Sequence, residues 1–468
     1  MADSKKTPAR PALKAVRGTR DLLPDQTPLW NHVESTARAL FARYGFGEIR
    51  TPIFESTDLF ARGVGEETDI VSKEMFTWED RARAASEKAQ QLTLRPENTA
   101  GVVRAYIEHK LGETGQLQKL YYIGPQFRRE RPQRGRYRQF WQIGAEVIGP
   151  QSSGSESPLR DAEILEMLAS LLTELGIRDW RLELNSVGST EDRIRYNQAL
   201  REALAPIKHL LCEDNQRRAE TNPLRVLDSK DEADQDLINA LPKIADYLSD
   251  DSRAHFTQLL AALDACNVPY NLNPRLVRGL DYYTRTTFEF TATTGQASGL
   301  GTQNALLGGG RYDGLSEMLG GPRAPGIGFA IGEDRLILTL QAQAEADLAA
   351  AQESGLNTGE NAGAPGLASE TWVNGRPKLD AYIAPLTPAQ NPAALALARE
   401  LRTAGLTVEV GDGTFKLRKS FDIADTLARH IILLGEDEVA TNILTIKTFA
   451  TGEQTKVPLH ELINRLRQ

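Results

Sequence analysis

The fold of this chain is decided by residues 116–148, which read QLQKLYYIGPQFRRERPQRGRYRQFWQIGAEVI. Aromatic and β-branched residues dominate both ends of this stretch, and a polar segment containing Pro132 and Gly135 separates them. Such a pattern predicts two strands, 116–127 and 137–148, that pair antiparallel. The sequence therefore predicts a β-hairpin with a long connecting loop.

The loop of this hairpin concentrates positive charge. It holds six arginines in eleven residues, opposed only by Glu130: Arg128, Arg129, Arg131, Arg134, Arg136 and Arg138. Guanidinium groups are the preferred bidentate partners of phosphates. The loop therefore predicts a phosphate-bearing ligand, and the alternative interpretation is a solvated basic loop.

The second strand of the hairpin has one polar and one apolar face. Side chains alternate along a strand, so Gln142, Gly144 and Glu146 share a face. The intervening residues form the apolar core face: Trp141, Ile143, Ala145 and Val147. An amide, an acid and a gap left by glycine suit a small zwitterion beside the phosphate. A half-exposed sheet with a solvated polar face is the alternative.

Two further segments carry candidate binding residues. In Leu94-Arg-Pro-Glu-Asn-Thr, Glu97 and Thr99 fall just before a helix expected near residue 100, where they are either ligands or only helix caps. In Arg278-Gly-Leu-Asp-Tyr-Tyr-Thr-Arg, the adjacent Tyr282 and Tyr283 are expected on opposite faces of a strand, so that one packs and the other offers its hydroxyl.

Glycine-rich segments form the last candidate. Gly308-Gly-Gly-Arg-Tyr-Asp-Gly permits close approach of the backbone to a ligand. Residues 326–335, GIGFAIGEDR, predict a strand that runs into a helix with Arg335 in its first turn. A cation there opposes the helix dipole, which makes sense if it faces a polyphosphate. Neither segment is a Walker A loop or a convincing dinucleotide fingerprint.

The rest of the first 343 residues contains further predicted helices and strands. A helix is expected at 27–44, and a strand at 48–55 in which Pro52 argues for an edge or unusual pairing. After the hairpin come a helix at 161–176, a strand at 180–185 and a charged, mostly helical insertion at about 190–268. Strand signals resume at 278–291 and within 308–332.

The C-terminal part begins after a segment rich in Ala, Glu, Gly and Asn, about 343–378, which is predicted to be a linker. Beyond it, strands and helices alternate over some ninety residues. Helices are expected at 392–404, 419–429 and 458–466. This alternation predicts a small α/β domain with a mostly parallel sheet.

Composition sets broad limits. The 468 residues are 40% hydrophobic and 25% charged, which excludes collagen, coiled-coil rods and wholly disordered chains. The net charge of -8 excludes a uniformly basic surface for nucleic acid. The cysteines, Cys212 and Cys266, are too few for a disulfide scaffold and favour a reducing compartment.

The sequence has no apolar run of 18 residues, and residues 1–14 lack the apolar core of a signal peptide. We therefore expect a cytoplasmic protein away from membranes. The six histidines lie far apart, so no protein-bound metal is expected.

Together these segments resemble bacterial histidyl-tRNA synthetases, a family of class II aminoacyl-tRNA synthetases. Phe127-Arg-Arg-Glu-Arg-Pro through Arg136-Tyr-Arg-Gln-Phe is similar to class II motif 2, and Gly326–Arg335 to motif 3. The stretch from Tyr44-Gly-Phe through Thr51-Pro-Ile-Phe-Glu resembles motif 1. Most specific are Arg278-Gly-Leu-Asp-Tyr-Tyr and Gly309-Gly-Arg-Tyr-Asp-Gly-Leu, which resemble the two peptides peculiar to the histidine enzyme.

The resemblance implies a fold and its domains. We expect an α+β catalytic domain with a mostly antiparallel sheet at 1–343, including the helical insertion. A linker at 344–378 would precede an anticodon-binding α/β domain of three layers at 379–468. Motif 1 implies a homodimer.

The resemblance also implies the reaction and its residues. Histidine and ATP would give histidyl-adenylate and diphosphate, and tRNA(His) would then accept the histidyl group with release of AMP. Arg128 and Arg278 would stabilise the transferring phosphate, with Glu130 and Arg335 also at ATP. Histidine would be held by seven residues: Glu97, Asn98, Thr99, Gln142, Glu146, Tyr282 and Tyr283. Asn98 stands where the family commonly has glycine. Mg²⁺ is expected only as the companion of ATP, with no other cofactor.

For tRNA, the resemblance implies recognition of an extra 5′ guanosine and of the anticodon. Arg134, Arg136 and Arg138 are candidates for the acceptor end, and the cluster Lys416, Arg418 and Lys419 for the anticodon. A solvated helix start is the alternative interpretation of the cluster. Two other functions are alternatives: a non-catalytic paralogue, of the kind that serves as a regulatory subunit of ATP phosphoribosyltransferase, and a nucleic-acid-binding protein without catalysis. The non-catalytic paralogues typically lack a C-terminal α/β domain, which residues 379–468 form here. The negative net charge of the chain argues against a protein that only binds nucleic acid.

Overall fold

The structure is a computed structural model that describes residues 12–65, 68–80, 89–229, 231–277, 280, 282–292, 304–353, 372–373 and 376–467. These residues divide into two compact units. One takes the described residues within Met1–Asp21 and Leu29–Ala364, and the other those within Leu22–Pro28 and Pro365–Gln468.

The helices, numbered in chain order, are α1 (Thr27–Arg43), α2 (Thr57–Val64), α3 (Thr99–Glu108), α4 (Pro158–Glu174), α5 (Thr190–Leu204), α6 (Glu213–Thr221), α7 (Gln235–Asn239), α8 (Asp250–Ala265), α9 (Leu315–Met318), α10 (Glu333–Glu353), α11 (Asn391–Thr403), α12 (Leu417–Leu427), α13 (Glu436–Thr441) and α14 (Leu462–Leu466). The strands are β1 (Gly47–Glu48), β2 (Phe54–Ser56), β3 (Phe76–Asp80), β4 (Gln90–Leu94), β5 (Gln118–Phe127), β6 (Gln139–Ile148), β7 (Trp180–Ser186), β8 (Asn271–Leu272), β9 (Thr284–Ala292), β10 (Ala305–Arg311), β11 (Gly326–Gly332), β12 (Trp372–Val373), β13 (Arg376–Pro377), β14 (Leu379–Pro385), β15 (Val408–Val410), β16 (Ala428–Leu434), β17 (Ile443–Thr448) and β18 (Gln454–Pro458).

The first unit is built on an eight-stranded sheet with the order β1-β5-β6-β11-β10-β9-β7-β8. Only the outer pairs, β1 with β5 and β7 with β8, are parallel, and every pairing between them is antiparallel. The expected mostly antiparallel catalytic sheet is therefore confirmed. The hairpin predicted from residues 116–148 is the pair β5 and β6, and it lies directly beside the glycine-rich β11 and β10.

The apolar face of this sheet is covered by helices. Helix α1 buries Phe41, whose ring stacks on Tyr121 of β5 at a centroid distance of 4.7 Å. Ile143, Ala145 and Val147 of β6 are completely buried. Because β6 alternates strictly, this burial turns the side chains of Gln142 and Glu146 to the opposite face, as the sequence predicts.

The strand predicted at 48–55 is wrong as a single element. Residues 47–48 form β1 at the edge of the large sheet, and residues 54–56 form β2 in a separate sheet with the order β2-β4-β3. Pro52 lies in the break between them. A proline has no N–H for a ladder, so the chain leaves one sheet before it joins the next.

The predicted helical insertion forms its own small core. Helices α5, α6 and α7 surround buried apolar side chains that include Tyr196, Leu200 and Val226.

A buried ion pair joins Arg311 of β10 to Asp161 of α4, and Thr286 of β9 donates a hydrogen bond of 2.6 Å to the same carboxylate. Both residues of the pair are fully buried. The pair ties the sheet to α4.

The second unit has three layers around a five-stranded sheet with the order β15-β14-β16-β17-β18. Helices α11 and α14 pack on one face around Ile383 and Ile432. Helix α12 packs on the other face around Tyr382 and Ile431. This confirms the expected three-layer α/β domain.

The sheet of this unit is not mostly parallel, however. Its two pairings around β14 are parallel, but β16-β17 and β17-β18 are antiparallel. The six-residue α13 and a turn at 449–453 connect these strands, and such short connections return the chain antiparallel rather than crossing the sheet. The helix predicted at 458–466 is only a short turn of 3₁₀ helix followed by α14.

The predicted linker begins later than expected. Helix α10 continues to Glu353, ten residues past the expected boundary at 343. Its sequence here is rich in Ala, Glu and Gln, which are strong helix formers, so a long helix needs no apolar period to persist. The structure does not describe residues 354–371. Among the described residues, no helix has the length and apolar character needed to cross a membrane.

Candidate active site

A cavity of about 270 Å³ opens on the polar face of the large sheet. Its walls come from the hairpin β5 and β6, the loop between them, the start of α3, strands β10 and β11 and the first turn of α10. The residues that line it are Glu97, Thr99, Tyr122, Arg128, Glu130, Gly135, Arg136, Tyr137, Phe140, Gln142, Leu280, Tyr282, Tyr283, Ala305, Leu306, Leu307, Gly308, Phe329, Ala330, Gly332, Asp334 and Arg335. The cavity therefore joins most of the segments that the sequence singles out.

One end of the cavity is built on carboxylates; we call it the carboxylate end (Glu97, Thr99 and Glu146). The carboxylate of Glu97 accepts hydrogen bonds from the backbone N–H groups of Thr99 (2.7 Å) and Ala100 (3.0 Å) at the start of α3. Glu97 therefore caps the helix and also lines the cavity. Burial raises the pKa of Glu97 despite these hydrogen bonds and the nearby Arg128.

Glu146 does not line the cavity itself but lies behind Thr99, which does. Its carboxylate is completely buried and accepts hydrogen bonds from the hydroxyls of Thr99 (2.7 Å) and Tyr312 (2.6 Å). Burial is the main cause that raises its pKa to about 8. A side chain on Gly328, opposite Glu146 on β11, would overlap the carboxylate, so this glycine makes the room that Glu146 occupies.

The gap that Gly144 leaves in β6 is filled by protein. The ring of Tyr122 on β5 covers Gly144 and lines the cavity. Next to it, Gln142 also lines the cavity, and its side-chain oxygen has no hydrogen-bond partner among the described residues. A buried acceptor without a partner favours a ligand that donates a hydrogen bond there.

The two adjacent tyrosines are not on opposite faces of a strand, which corrects the expectation for them. Tyr282 and Tyr283 precede β9, are both buried and both line the cavity, with ring centroids 4.8 Å apart. Tyr312, at the end of β10, packs edge-on against Tyr282 at 5.9 Å. Strand alternation does not apply because the segment turns before β9 begins.

The other end of the cavity is built on arginines; we call it the arginine end (Arg128, Arg136 and Arg335). Arg128 donates a hydrogen bond of 2.9 Å to the carbonyl of Pro96, and Arg335 donates one of 2.8 Å to that of Ala305. Burial lowers the pKa of Arg335, and the neighbouring Arg136 and Arg128 lower it further. These cations are close enough to repel one another.

Glu130 is the carboxylate of this end. It lies 3.1 Å from Arg136 and 3.8 Å from Arg128. Phe140 lines the cavity beside them, with Arg128 stacked 5.2 Å above its ring centroid. Three guanidiniums thus gather around Glu130, and an aromatic face lies next to them.

Besides Glu146, two residues predicted for histidine or ATP are not among the lining residues. Arg278 falls outside the residues that the structure describes, although the flanking Leu280 and Tyr282 line the cavity. Asn98 is buried but is not among the lining residues, and its side-chain oxygen accepts hydrogen bonds from Thr51 (2.6 Å) and Arg95 (3.3 Å). Its contacts are therefore with the protein.

The arginines predicted for acceptor contacts separate in space. Arg134 is exposed, Arg136 lines the cavity, and Arg138 packs against Gly18. In the second unit Lys416, Arg418 and Lys419 are all exposed at the start of α12, and Lys419 lies 3.9 Å from the ring centroid of Phe415.

Several residues of the site carried no signal that the sequence analysis used. Tyr312 and Phe140 lie inside quoted motifs, so their neighbours could have drawn attention to them. Tyr122 and Asp334 also lie inside the quoted stretches 116–148 and 326–335, but their own positions were given no role. Asp334 accepts a hydrogen bond of 3.1 Å from the backbone N–H of Trp141, which connects α10 to the hairpin.

The carboxylates that line the cavity are already engaged, Glu97 and Asp334 by hydrogen bonds and Glu130 by ion pairs. In the described part of the chain, no group of three or more His, Cys, Asp or Glu side chains could hold a metal ion.

Chemically, the cavity pairs an acidic and hydroxyl-lined end with an arginine end on one antiparallel sheet. This combination suits a small amino acid next to a polyphosphate, and the architecture is that of a class II aminoacyl-tRNA synthetase. Two family models match the chain: "Histidyl-tRNA synthetase" over residues 18–336 and "Anticodon binding domain" over residues 380–468.

Known proteins agree with this class. The histidine–tRNA ligase of Koribacter versatilis (strain Ellin345) is 61% identical over 451 residues, covering 96% of this chain and 95% of the relative. That of Solibacter usitatus (strain Ellin6076) is 49% identical over 456 residues, covering 97% and 99%. The crystal structure of apo S. aureus histidyl-tRNA synthetase matches 98% of this chain and 100% of its own at a TM-score of 0.72 and 35% identity. The chain belongs to the histidyl-tRNA synthetase family, and it is an enzyme of the aminoacyl-tRNA ligase type.

Proposed function

We propose that this chain activates L-histidine with ATP in the described cavity and transfers the histidyl group to tRNA(His). The observation that carries the proposal is the convergence of Arg128, Arg136 and Arg335 on one wall of a cavity whose opposite end is acidic. Like charges held together in a partly buried site store repulsion that a polyanion relieves. ATP provides that polyanion, and the α-amino group of histidine complements the acidic end.

In the first step a carboxylate oxygen of histidine attacks the α-phosphorus of ATP. A bond forms from that oxygen to phosphorus, and the bond from phosphorus to the bridging oxygen breaks and releases diphosphate. The substrate supplies the nucleophile, so the enzyme contributes orientation and charge neutralisation. We assign the α-phosphate to Arg128 and the rest of the triphosphate to Arg335 and Arg136, with the adenine stacking on Phe140.

Arg278 is assigned a second contact with the α-phosphate on the strength of the family resemblance. We expect Arg278→Ala to reduce the rate of ATP–diphosphate exchange far more than the affinity for histidine, because a fixed cation stabilises the charge that develops in the transition state. Near-normal exchange in this variant would remove Arg278 from the mechanism.

Selection of histidine is assigned to the carboxylate end. Glu97 and Thr99 are placed at the α-amino group, whereas Gln142, Tyr282 and Tyr283 surround the side chain. Glu146 acts on the imidazole through the hydroxyls that it orders or by a direct hydrogen bond after Thr99 turns. A site built to hydrogen-bond both imidazole nitrogens rejects analogues without them by factors of about 10⁴–10⁵.

In the second step a terminal ribose hydroxyl of tRNA(His) attacks the activated carbonyl and AMP leaves. Arg134 is exposed in the hairpin loop and suits the acceptor end. The exposed cluster Lys416, Arg418 and Lys419 suits the anticodon stem, with affinity that falls as salt rises. Mg²⁺ is assigned to the phosphates of ATP.

A homodimer in the cytoplasm completes the proposal. Ile53, Phe54 and Trp78 are between 40% and 53% exposed, and the rings of the last two lie 6.0 Å apart. An exposed aromatic patch beside the motif 1 segment is typical of a subunit interface. Light scattering tests the dimer, and a monomer with full activity would overturn it.

The test of the activity uses two stages. Pure protein is first incubated with histidine, ATP, Mg²⁺ and labelled diphosphate, and exchange of label into ATP is measured. tRNA(His) is then added and histidyl-tRNA is counted. Both reactions are expected. A protein that binds histidine without exchange would instead act as a non-catalytic paralogue, and one that binds only tRNA would act as a nucleic-acid-binding protein.

A further inference from the structure

The segment 16–20, which precedes every element of the site, lies against the arginine loop. Gly18 accepts a hydrogen bond of 2.7 Å at its carbonyl from the backbone N–H of Arg138. The carbonyl of Arg138 in turn accepts one of 2.9 Å from the backbone N–H of Arg128. Two hydrogen bonds therefore connect Gly18 to the backbone of the arginine at the cavity wall.

Gly18 fits this place because it has no side chain. A Cβ atom there would lie 2.8 Å from Cγ of both Arg138 and Pro132. The backbone of Gly18 also has φ of +89°, a conformation that other residues rarely adopt. A residue with a Cβ atom at position 18 would therefore clash with the loop, and only glycine permits this close contact.

Arg20 connects the same loop to α10. Its guanidinium donates hydrogen bonds to the hydroxyl of Tyr137 (3.1 Å) and to the carboxylate of Asp334 (2.6 Å), and it stacks on the ring of Tyr137 at 4.3 Å. Tyr137 and Asp334 both line the cavity, on either side of its arginine end. The other oxygen of Asp334 accepts the backbone N–H of Trp141, so three elements meet at one carboxylate.

The arginine loop needs such a support. Its guanidiniums repel one another. Apart from the bond to Gly18, the described backbone hydrogen bonds of the loop join Arg128 to Arg138, Gln133 to Arg136 and Arg129 to the carbonyl of Glu74. An eleven-residue loop with that charge would spread in the absence of ligand. A segment that ties the loop at Gly18 and at Tyr137 reduces the ordering that ATP binding has to supply.

We propose that residues 16–20 form a strap that holds the arginine loop in its ATP-binding shape, and that Arg20 is the positioning residue of the strap. The inference rests on the proposed function of the cavity. Arg20 does not line the cavity; it acts through Tyr137 and Asp334. The strap therefore governs the arginine end and leaves the carboxylate end unchanged.

The test compares Arg20→Ala with Arg17→Ala, an exposed arginine three residues earlier. In Arg20→Ala the KM for ATP in diphosphate exchange is expected to rise on the order of tenfold, since two hydrogen bonds of a charged group are lost. The dissociation constant of histidine, measured by calorimetry, should stay within about twofold. Arg20→Lys should recover part of the loss, because it keeps the ion pair with Asp334 but not the planar stack. Arg17→Ala should behave as the parent.

Two results would overturn the strap: an unchanged KM for ATP in Arg20→Ala, or equal weakening of ATP and histidine together with a lower melting temperature, which indicates a purely structural role. If the parent protein itself shows no exchange, the proposed function fails. Calorimetry with a non-hydrolysable ATP analogue then still decides whether Arg20 supports nucleotide binding.

A second pair of variants does not depend on Arg20. Gly18→Ala adds a methyl group against the loop, whereas Gly115→Ala adds one at a similar positive φ of +71° where no atom lies within 4 Å. Both carry the same backbone strain, so the pair isolates the contact with the loop. The KM for ATP is expected to rise several-fold more in Gly18→Ala than in Gly115→Ala, and equal values would contradict the strap.

Discussion

The two ends of the cavity satisfy their polar groups in opposite ways. At the carboxylate end, Glu97 and Glu146 already accept hydrogen bonds from backbone N–H groups and hydroxyls. At the arginine end, Glu130 lies close to Arg128 and Arg136, and these two cations lower the pKa of the neighbouring Arg335. The carboxylates of one end are held by hydrogen bonds within the protein, whereas the other end gathers cations that repel one another.

This contrast teaches where selectivity and rate arise. A network of satisfied hydrogen bonds is rigid, so it favours a ligand whose donors and acceptors match and penalises others. A group of neighbouring cations discriminates little between anions, but it stabilises charge that develops on a phosphate. We therefore expect substitutions at the carboxylate end to change histidine affinity and those at the arginine end to change the rate of adenylation.

The largest effect is expected for Arg128→Ala. Removal of one preorganised charged donor at a transition state typically costs a factor of about 10²–10³ in rate. Pre-steady-state measurement of adenylate formation should show a loss of this order, while calorimetry should show histidine affinity within a few-fold of the parent.

The matched control for this change is Arg129→Ala. Arg129 is the next residue in the loop but is exposed and stacks over Phe76, 5.9 Å from its ring centroid. It should retain most of the adenylation rate. Equal losses in both variants would mean that the total charge of the loop matters rather than its geometry, and the contrast between the two ends would lose its basis.

At the carboxylate end, Glu146→Gln is expected to weaken histidine binding by about tenfold, in line with the loss of one hydrogen bond. The affinity for ATP should be nearly unchanged, because the arginine end has no contact with Glu146 among the described hydrogen bonds. Calorimetric titration with each ligand separately decides this, and a parallel loss of ATP affinity would contradict the division of the cavity.

Stability should depend on pH through the same residue. Its folded-state pKa of about 8 lies above the ordinary value of 4.5, so between these values the folded carboxyl keeps a proton that the unfolded one has lost. The free energy of unfolding therefore falls as pH rises from about 4.5 to 8. Glu146→Gln removes this dependence, and denaturant melts should show its stability relative to the parent increasing across that window.

Glu333 provides the control for this pH effect. It is buried at the start of α10, outside the lining of the cavity, and burial is the main cause that raises its pKa to about 9. Glu333→Gln should gain relative stability with rising pH in the same direction and leave histidine affinity unchanged. A flat pH profile in both variants would show that these carboxyls stay ionised.

Local patterns predicted the hairpin, the faces of β6 and the cations of the cavity, because strand alternation and charge density are properties of neighbouring residues. They failed where distant segments decide the structure. The second unit's sheet changes direction after β16 because α13 is short, and the break at Pro52 moves one predicted strand into two sheets. Neither consequence can be derived from the strand propensities themselves.

The same limit applies to the site. Tyr312 reaches Glu146 from 166 residues away, and Arg20 reaches Asp334 from 314 residues away. No spacing in the sequence marks such pairs. Asn98 is predicted to bind substrate from the family resemblance, and this stays a prediction: its side-chain oxygen accepts hydrogen bonds from Thr51 and Arg95, whereas its buried side-chain nitrogen has no partner among the described residues.

The smallest effect is expected for Asn98→Gly. Asn98 ties the loop that carries Glu97 and Thr99 to Thr51, and one neutral hydrogen bond contributes about 0.5–1.5 kcal/mol. Because this hydrogen bond helps to order the loop, its loss should raise the KM for histidine about threefold. The KM for ATP should not change. Thr51→Val removes the same hydrogen bond from the other side, so the double variant should lose no more than either single one. Additive losses would mean that Asn98 acts on the substrate directly, as its position in the sequence predicts.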